Sequence, residues 1–328
     1  MIESSTKALA LNCEFMNIFL TDSILSNKHF FKQLLDIKNL NINKINFLDK
    51  SFLKFGFLSK HIKKKIDKAD IVFVHNSKLL KVLRSYFPKK KIILFFHTDK
   101  IKQFHDFKFA NKVLTVNKTM ENKINSLYSN KASYLPNASY KLLEKKKSKH
   151  QSKNFNRSSR FVIGSMGRLV KKKGFDFLIN VCAEIDNLDL IIAGDGNEFN
   201  NLKRVSEHYN NIKLLGWIES KEKFFKSIDV FCCSSKIEPF GLVIIEAMSR
   251  GIPVISTKCN GPKDIIKNKK DGFLVEINNK EEFKEAIIKL QKNSALRKKM
   301  GLNALNTFKK MYTFNKYKKN VNSILKQL

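Results

Sequence analysis

Glycine is almost missing from the first half of this chain: of twelve glycines only Gly56 precedes residue 164, and the other eleven punctuate the second half. Turns and close backbone approaches of the kind glycine permits are therefore expected mainly downstream. Acidic residues are scarce as well, 29 against 63 Lys and Arg, and the formal charge of +34 means self-repulsion unless anions lie nearby. The excess is early, since 33 basic and 11 acidic residues precede Phe161, which is +22 of that total. Nucleic acid, an anionic membrane surface and phosphorylated substrates all satisfy such a charge. A plain compositional bias, with Lys and Asn abundant throughout, satisfies it too. The five cysteines are odd in number and lack CxxC or Cys/His ligand spacing, which argues against a zinc site or a disulfide framework. The opening MIESSTKALALNCEFMNIFL has Glu3 where a secretory signal is basic, and Asn12 and Glu14 interrupt its apolar run. No stretch of eighteen apolar residues occurs, so a spanning helix is not expected. A reducing cytoplasm is the expected compartment, with membrane contact peripheral and on the inner face.

What is present describes a globular protein. A hydrophobic fraction of 43% and an aromatic fraction of 11% supply buried cores, and 328 residues at about 150 per domain suggest two domains. The polar, basic stretch KLLEKKKSKHQSKNFNRSSR has no hydrophobic period after Leu143 and is read as the linker. The expected divisions are 1–140, a linker at 141–159, a second domain at 160–304, and a C-terminal helix at 305–328 crossing back to the first domain. Downstream of the linker, apolar runs such as FVIGSMG, DLIIAGDG, IKLLGW, DVFCCSS and PVISTK alternate with amphipathic segments. Runs too continuous for one solvated face, alternating with helices, predict a parallel sheet covered on both sides. The first half shows the same grammar more faintly, in NINKINFL, DIVFVHN, KIILFFH and KVLTVN, with helical patterns at 77–87 and 119–128.

Two constellations carry chemistry. In KIEPFGLVIIEAMSRGIPVIST, Pro239 and Gly241 break a strand before a helix, so the N–H groups of Phe240, Gly241 and Leu242 are expected at a helix N-terminus. Such a terminus attracts oxyanions. Glu246 lies inside the apolar run VIIEAM, and a buried carboxylate costs several kcal/mol unless partnered. Ligand hydroxyls and a structural Arg or Lys are equal candidates for that partner. Glu238, on a strand-end loop, can reach the cleft outside the carboxyl edge of the sheet, and taken singly it also reads as an ordinary loop acid. Upstream, GRLVKKKG joins a strand to a helix, and Arg168 and Lys173 flank its turn. A guanidinium fork and an ammonium at such a loop suit a diphosphate, whereas Lys171 and Lys172 read as solvated charges. Gly194, in AGDG, marks a tight turn as readily as a ligand contact.

GRLVKKKGFDFLI, LIIAGDG, IKLLGW and EPFGLVIIEAMSRGIPVIST, in that order, resemble glycosyltransferase family 4, the group-1 glycosyltransferases, over roughly residues 160–290. The resemblance implies a GT-B fold: α/β, two Rossmann-like domains with parallel sheets facing a central cleft. It implies a metal-independent, retaining transfer from a nucleotide-diphosphate sugar, the donor substrate, with no cofactor. On it, Arg168 and Lys173 hold the diphosphate, Glu246 the ribose hydroxyls and Glu238 hydroxyls of the transferred sugar, while Phe240, Gly241 and Leu242 offer backbone donors. IILFFHTDK resembles the family segment whose His faces the reaction centre, which makes His97 the candidate there and His75 a poorer one. YLPNASY resembles an interdomain element, which places Asn137 at a hinge-side turn. Family members open with a strand and a Gly-rich loop, and the glycine-poor start here lacks or replaces that loop.

The expected partners are a nucleotide-sugar donor, a saccharide or lipid-linked acceptor and an anionic membrane surface, in lipopolysaccharide or other cell-envelope glycan synthesis. Two rival readings are a non-catalytic GT-B partner subunit, prompted by the glycine-poor start, and a basic nucleic-acid-binding protein. The second lacks zinc spacing, RNP-like aromatics and a recognition helix, so nucleic acid is not an expected partner.

Overall fold

The computed structural model describes residues 16–21, 40–45, 57–99, 101–139 and 160–327. The linker expected at 141–159 and the loop that follows the first strand fall outside these residues. The chain divides into two compact units, Met1–Asn137 with Phe314–Leu328, and Ala138–Thr313.

In the first unit β1 (Met16–Thr21) pairs in parallel with β2 (Leu40–Ile45). Helix α1 (Lys60–Asp67) leads to β3 (Ile71–Val74), α2 (Leu80–Tyr86) to β4 (Lys91–Phe96), and β5 (Lys112–Thr115) is followed by α3 (Lys118–Leu127) and β6 (Ala132–Tyr134). Strands β3 to β6 form a parallel sheet in chain order. Helix α1 is easily overlooked in KHIKKKID, yet Ile62 and Ile66, four residues apart, are its buried stripe and the lysines its wet face. The side chain of Asn117 starts α3 by accepting from Met120 N at 2.8 Å.

The second unit holds β7 (Phe161–Met166), α4 (Phe175–Cys182), β8 (Leu188–Ala193), α5 (Phe199–Ser206), β9 (Ile212–Gly216), α6 (Lys221–Lys226) and β10 (Val230–Cys233). Next come α7 (Leu242–Met248), β11 (Val254–Thr257), α8 (Asn260–Ile265), β12 (Gly272–Val275), α9 (Lys280–Lys292) and α10 (Ser294–Met311). After Tyr312, buried beside Phe240, the chain re-enters a helix, α11 (Phe314–Leu325), which belongs to the first unit. The all-parallel sheet runs β12-β11-β10-β7-β8-β9. Apart from the edge strand β9, where only Ile212 is buried, its strands are buried nearly throughout, as the continuous apolar runs predict. The order reverses between β7 and β10, so the loops after these two neighbours leave on opposite faces and open a crevice at their carboxyl ends.

Gly194 shows how tightly those loops are packed. It has φ 141° and its N–H donates to Gly216 O at 2.8 Å, while a Cβ there would stand 1.9 Å from Gly167 O. Gly194→Ala is accordingly expected to cost about 2 kcal/mol or more, and a lowered Tm checks it.

Candidate functional site

The crevice between β7 and β10 collects the two constellations. The loop after β7 is pinned to its neighbour, Gly167 N donating to Ala193 O at 3.0 Å and Leu169 N to Asp195 O at 2.9 Å. Arg168, between these anchors, is exposed and has no side-chain partner among the described residues. The same loop is stitched to the one after β10: Lys236 N donates to Lys172 O at 2.8 Å and Ser234 Oγ to Lys173 O at 3.1 Å. These bonds bring Lys173 against Glu238, which it meets in an ion pair. The pair is largely withdrawn from water, with side-chain exposures of 20% and 10%. Burial works against the lysine's charge, but Glu238 beside it, by charge and hydrogen bond, more than offsets this and raises the Lys173 pKa above its ordinary value. Lys173 is therefore a fixed cation, and Ser165, Ser234 and Ser235 line a cavity of about 10 Å³ next to it.

The Glu238 carbonyl ties the loop ahead of α7 to α8, accepting from Gly261 N at 2.9 Å. Phe240 is buried, 6.1 Å from Tyr312 ring to ring, and Gly241 takes φ 108° as the residue before the helix. The N–H groups of Gly241 and Leu242 thus lie where α7 begins, with Leu242 its first residue. One turn on, Glu246 receives Lys221 Nζ on both oxygens, at 2.8 and 2.9 Å. The sequence left a lysine or arginine and ligand hydroxyls equally open for Glu246, and Lys221 is the partner found. It was missed because it lies 25 residues upstream on another helix. Arg250 extends the network, donating to Glu222 at 2.9 Å and to the Glu246 carbonyl at 2.8 Å.

Arg168, Lys173, Gly194, Glu238, Phe240, Gly241, Leu242 and Glu246 thus all occur on carboxyl-edge loops of the second sheet or on α7, which follows one of them. Gly194 has a reason to be glycine that is independent of any ligand. Among the described residues no group of three or more His, Cys, Asp or Glu is placed to hold a metal ion. The four described cysteines are buried and free.

His97 lies in the first unit, just past β4, and its Nε2 is 3.0 Å from Nδ1 of His75, just past β3. Burial lowers the His75 pKa to about 4; burial, then the neighbouring His75, lowers that of His97 to about 3. Unfolded, both rings take up protons near pH 6.5; folded, only near 4 and 3, so folding expels protons in between. Stability is expected to be full above about pH 7 and to fall as pH drops from about 6.5 toward 4, by at most about 1.4 kcal/mol per pH unit for each ring. Urea unfolding over that range checks it, with a shallower pH dependence expected for His75→Phe/His97→Phe.

Comparison with known proteins follows the same division. Residues 146–307 match the family described as glycosyl transferases group 1. The lipopolysaccharide core biosynthesis glycosyltransferase LpsE of Rhizobium meliloti is 34% identical over 143 residues, 43% of this chain and 42% of that protein. The capsular polysaccharide biosynthesis glycosyltransferase CapM of Staphylococcus aureus is 30% identical over 222 residues, 65% of this chain and 57% of that one. The chain thus spans about half the length of the curated relatives it matches. Over its whole length it resembles Anabaena HepE, solved in complex with UDP-glucose, with a TM-score of 0.81 at 16% identity, covering 99% of this chain and 95% of that one. The fold is GT-B, as expected, with two Rossmann-like α/β units.

Proposed function

We propose that this chain is a group-1 glycosyltransferase of family 4 that moves a sugar from a nucleotide-diphosphate donor to a saccharide or lipid-linked acceptor of the cell envelope, with retention and without a metal. The observation that carries the reading is the meeting of Lys173 and Glu238 at the switch point of the second sheet, beside an exposed Arg168 and the start of α7. A buried cation held by one carboxylate, with an unengaged guanidinium on the same loop, suits a diphosphate whose negative charge grows as the glycosidic bond to it breaks. In this reading Arg168, Lys173 and the backbone donors at Phe240, Gly241 and Leu242 stabilise that charge. Glu238 accepts hydrogen bonds from hydroxyls of the transferred sugar, and Glu246 takes ribose hydroxyls in exchange for Lys221. Each acid begins with a lysine, so ligand hydroxyls replace existing contacts and no bare carboxylate has to be buried.

Donor binding is expected to raise the Tm in a panel of UDP-, GDP- and ADP-sugars, by the equivalent of about 2.7 kcal/mol at a hundred times Kd. Lys173→Ala is expected to lower donor turnover by about 10²-fold or more, and the product's anomeric proton coupling to show retention. Turnover unchanged by Lys173→Ala sinks the role given to it; an inverted product sinks retention.

Membrane contact on the inner face has separate support in the first unit. A groove of about 740 Å³ at the amino edge of its sheet is lined by residues 67–71 and 86–91, where Lys68, Lys89, Lys90 and Lys91 outnumber Asp67 and Asp70. Among the cations along this edge, Lys90 turns to the carbonyls of Asp67 and Ala69, both at 2.8 Å, and Lys112 to that of Asn130 at 2.9 Å. Flotation with vesicles is expected to require anionic lipid and to weaken in Lys68→Glu/Lys89→Glu/Lys91→Glu, at about 1 kcal/mol per lysine. Equal flotation with neutral lipid goes against it.

A further inference from the structure

His75 and His97 close adjacent parallel strands at the carboxyl edge of the first unit's sheet, the edge opposite the basic groove. Their rings lie 5.2 Å apart, centroid to centroid, with planes 9° apart, and the ring of Phe95 stacks 4.9 Å from that of His75. The 3.0 Å contact between Nδ1 of His75 and Nε2 of His97 needs one proton and one lone pair. A neutral imidazole has a single N–H, so the pair has two arrangements. If His75 donates from Nδ1, the proton of His97 sits on its own Nδ1, a buried atom with no partner among the described residues. If His97 donates from Nε2, that buried atom is a lone pair without a donor, and His75 carries its proton on Nε2. Buried N–H groups without acceptors are rarer than under-used acceptors, so the second arrangement wins. Nε2 of His75, unlike Nδ1 of His97, is not among the buried atoms left without a partner. The depressed pKa values of both rings agree with a neutral pair.

The geometry points to His75, and not His97, as the residue of this edge that meets a ligand, its Nε2–H offered to an oxygen of a bound saccharide while His97 is the positioning residue that selects this tautomer. The ligand class rests on the glycosyltransferase reading; the tautomer does not. The proton order can be read from ring ¹⁵N shifts of the free wild-type protein at neutral pH, assigned with His75→Gln and His97→Gln. Both rings are expected as Nε2–H tautomers, and a proton on Nδ1 of His75 overturns the assignment. In sugar transfer, His75→Gln, which keeps a donor, is expected within about threefold of wild-type kcat/KM and His75→Phe at least about tenfold down. Adding His97→Phe to His75→Phe is expected to cost nothing further, because His97 acts through His75. Additive losses, or an indifferent His75→Phe, overturn the ligand role. A wild-type chain that transfers no sugar also overturns that role, and the ring shifts still decide the tautomer. Should the phenylalanine variants fail to fold, the shifts and His75→Gln decide.

Discussion

A parallel sheet whose strand order reverses once forces its neighbouring loops apart at a single place, and in the second unit that place lies between β7 and β10. The reversal sends the two loops to opposite faces, yet the end of the first is sewn to the start of the second by the bonds from Lys236 and Ser234 to the 172–173 backbone. Lys173 and Glu238 face each other because of that seam. The ion pair is not a device for stability, since two charges withdrawn from water regain by attraction about what they lose in hydration. In the proposed reading it is a cation and a carboxylate stored in neutral combination for a charged ligand to engage.

Helix α7 repeats the device at a second point. Glu246 would be an expensive acid on an otherwise apolar helix, and Lys221 neutralises it from α6 with a side chain that is 42% exposed. A partner so exposed is more easily exchanged than a buried one, because its charge returns to water when released. Arg250 is the contrasting case. Its side chain is only 7% exposed, it holds Glu222 and the end of α7, and it lies 4.6 Å from the ring of Phe225, so it fixes the two helices and has no freedom to serve a ligand.

How much of this the sequence disclosed depended on how local each signal was. The glycines at strand ends and the unbroken apolar runs announced the second unit. The 167–174 loop and the 238–246 segment were legible because each keeps its chemistry within a few residues. Lys221 was not, since nothing near it in sequence points to Glu246. Strand order was equally hidden: a run such as VFCC shows burial on both faces but not which neighbours it has. In the first unit, β1 lies in a segment weighed only as a signal sequence, and α1 was obscured by the lysines that surround its two isoleucines. His97 stands above His75 in the sequence because IILFFHTDK carries the family resemblance, and nothing in either segment shows that the two rings touch. Only the parallel register that sets Phe73 beside Ile93 brings the two rings together.

Among the described residues the partners that cations find differ between the units, which composition could not express. In the second unit, cations meet carboxylates: Lys173 with Glu238, Lys221 with Glu246, Arg250 with Glu222, Lys280 and Lys284 with Glu184. In the first, Arg84 donates to the carbonyls of Phe109, Pro88 and Lys90 and to Asn111, neutral acceptors that orient a guanidinium without cancelling its charge. Lys131 records the result, its pKa lowered by burial and then by the repulsion of Arg84. A compositional bias toward lysine explains why cations are numerous but not why this edge turns them to carbonyls.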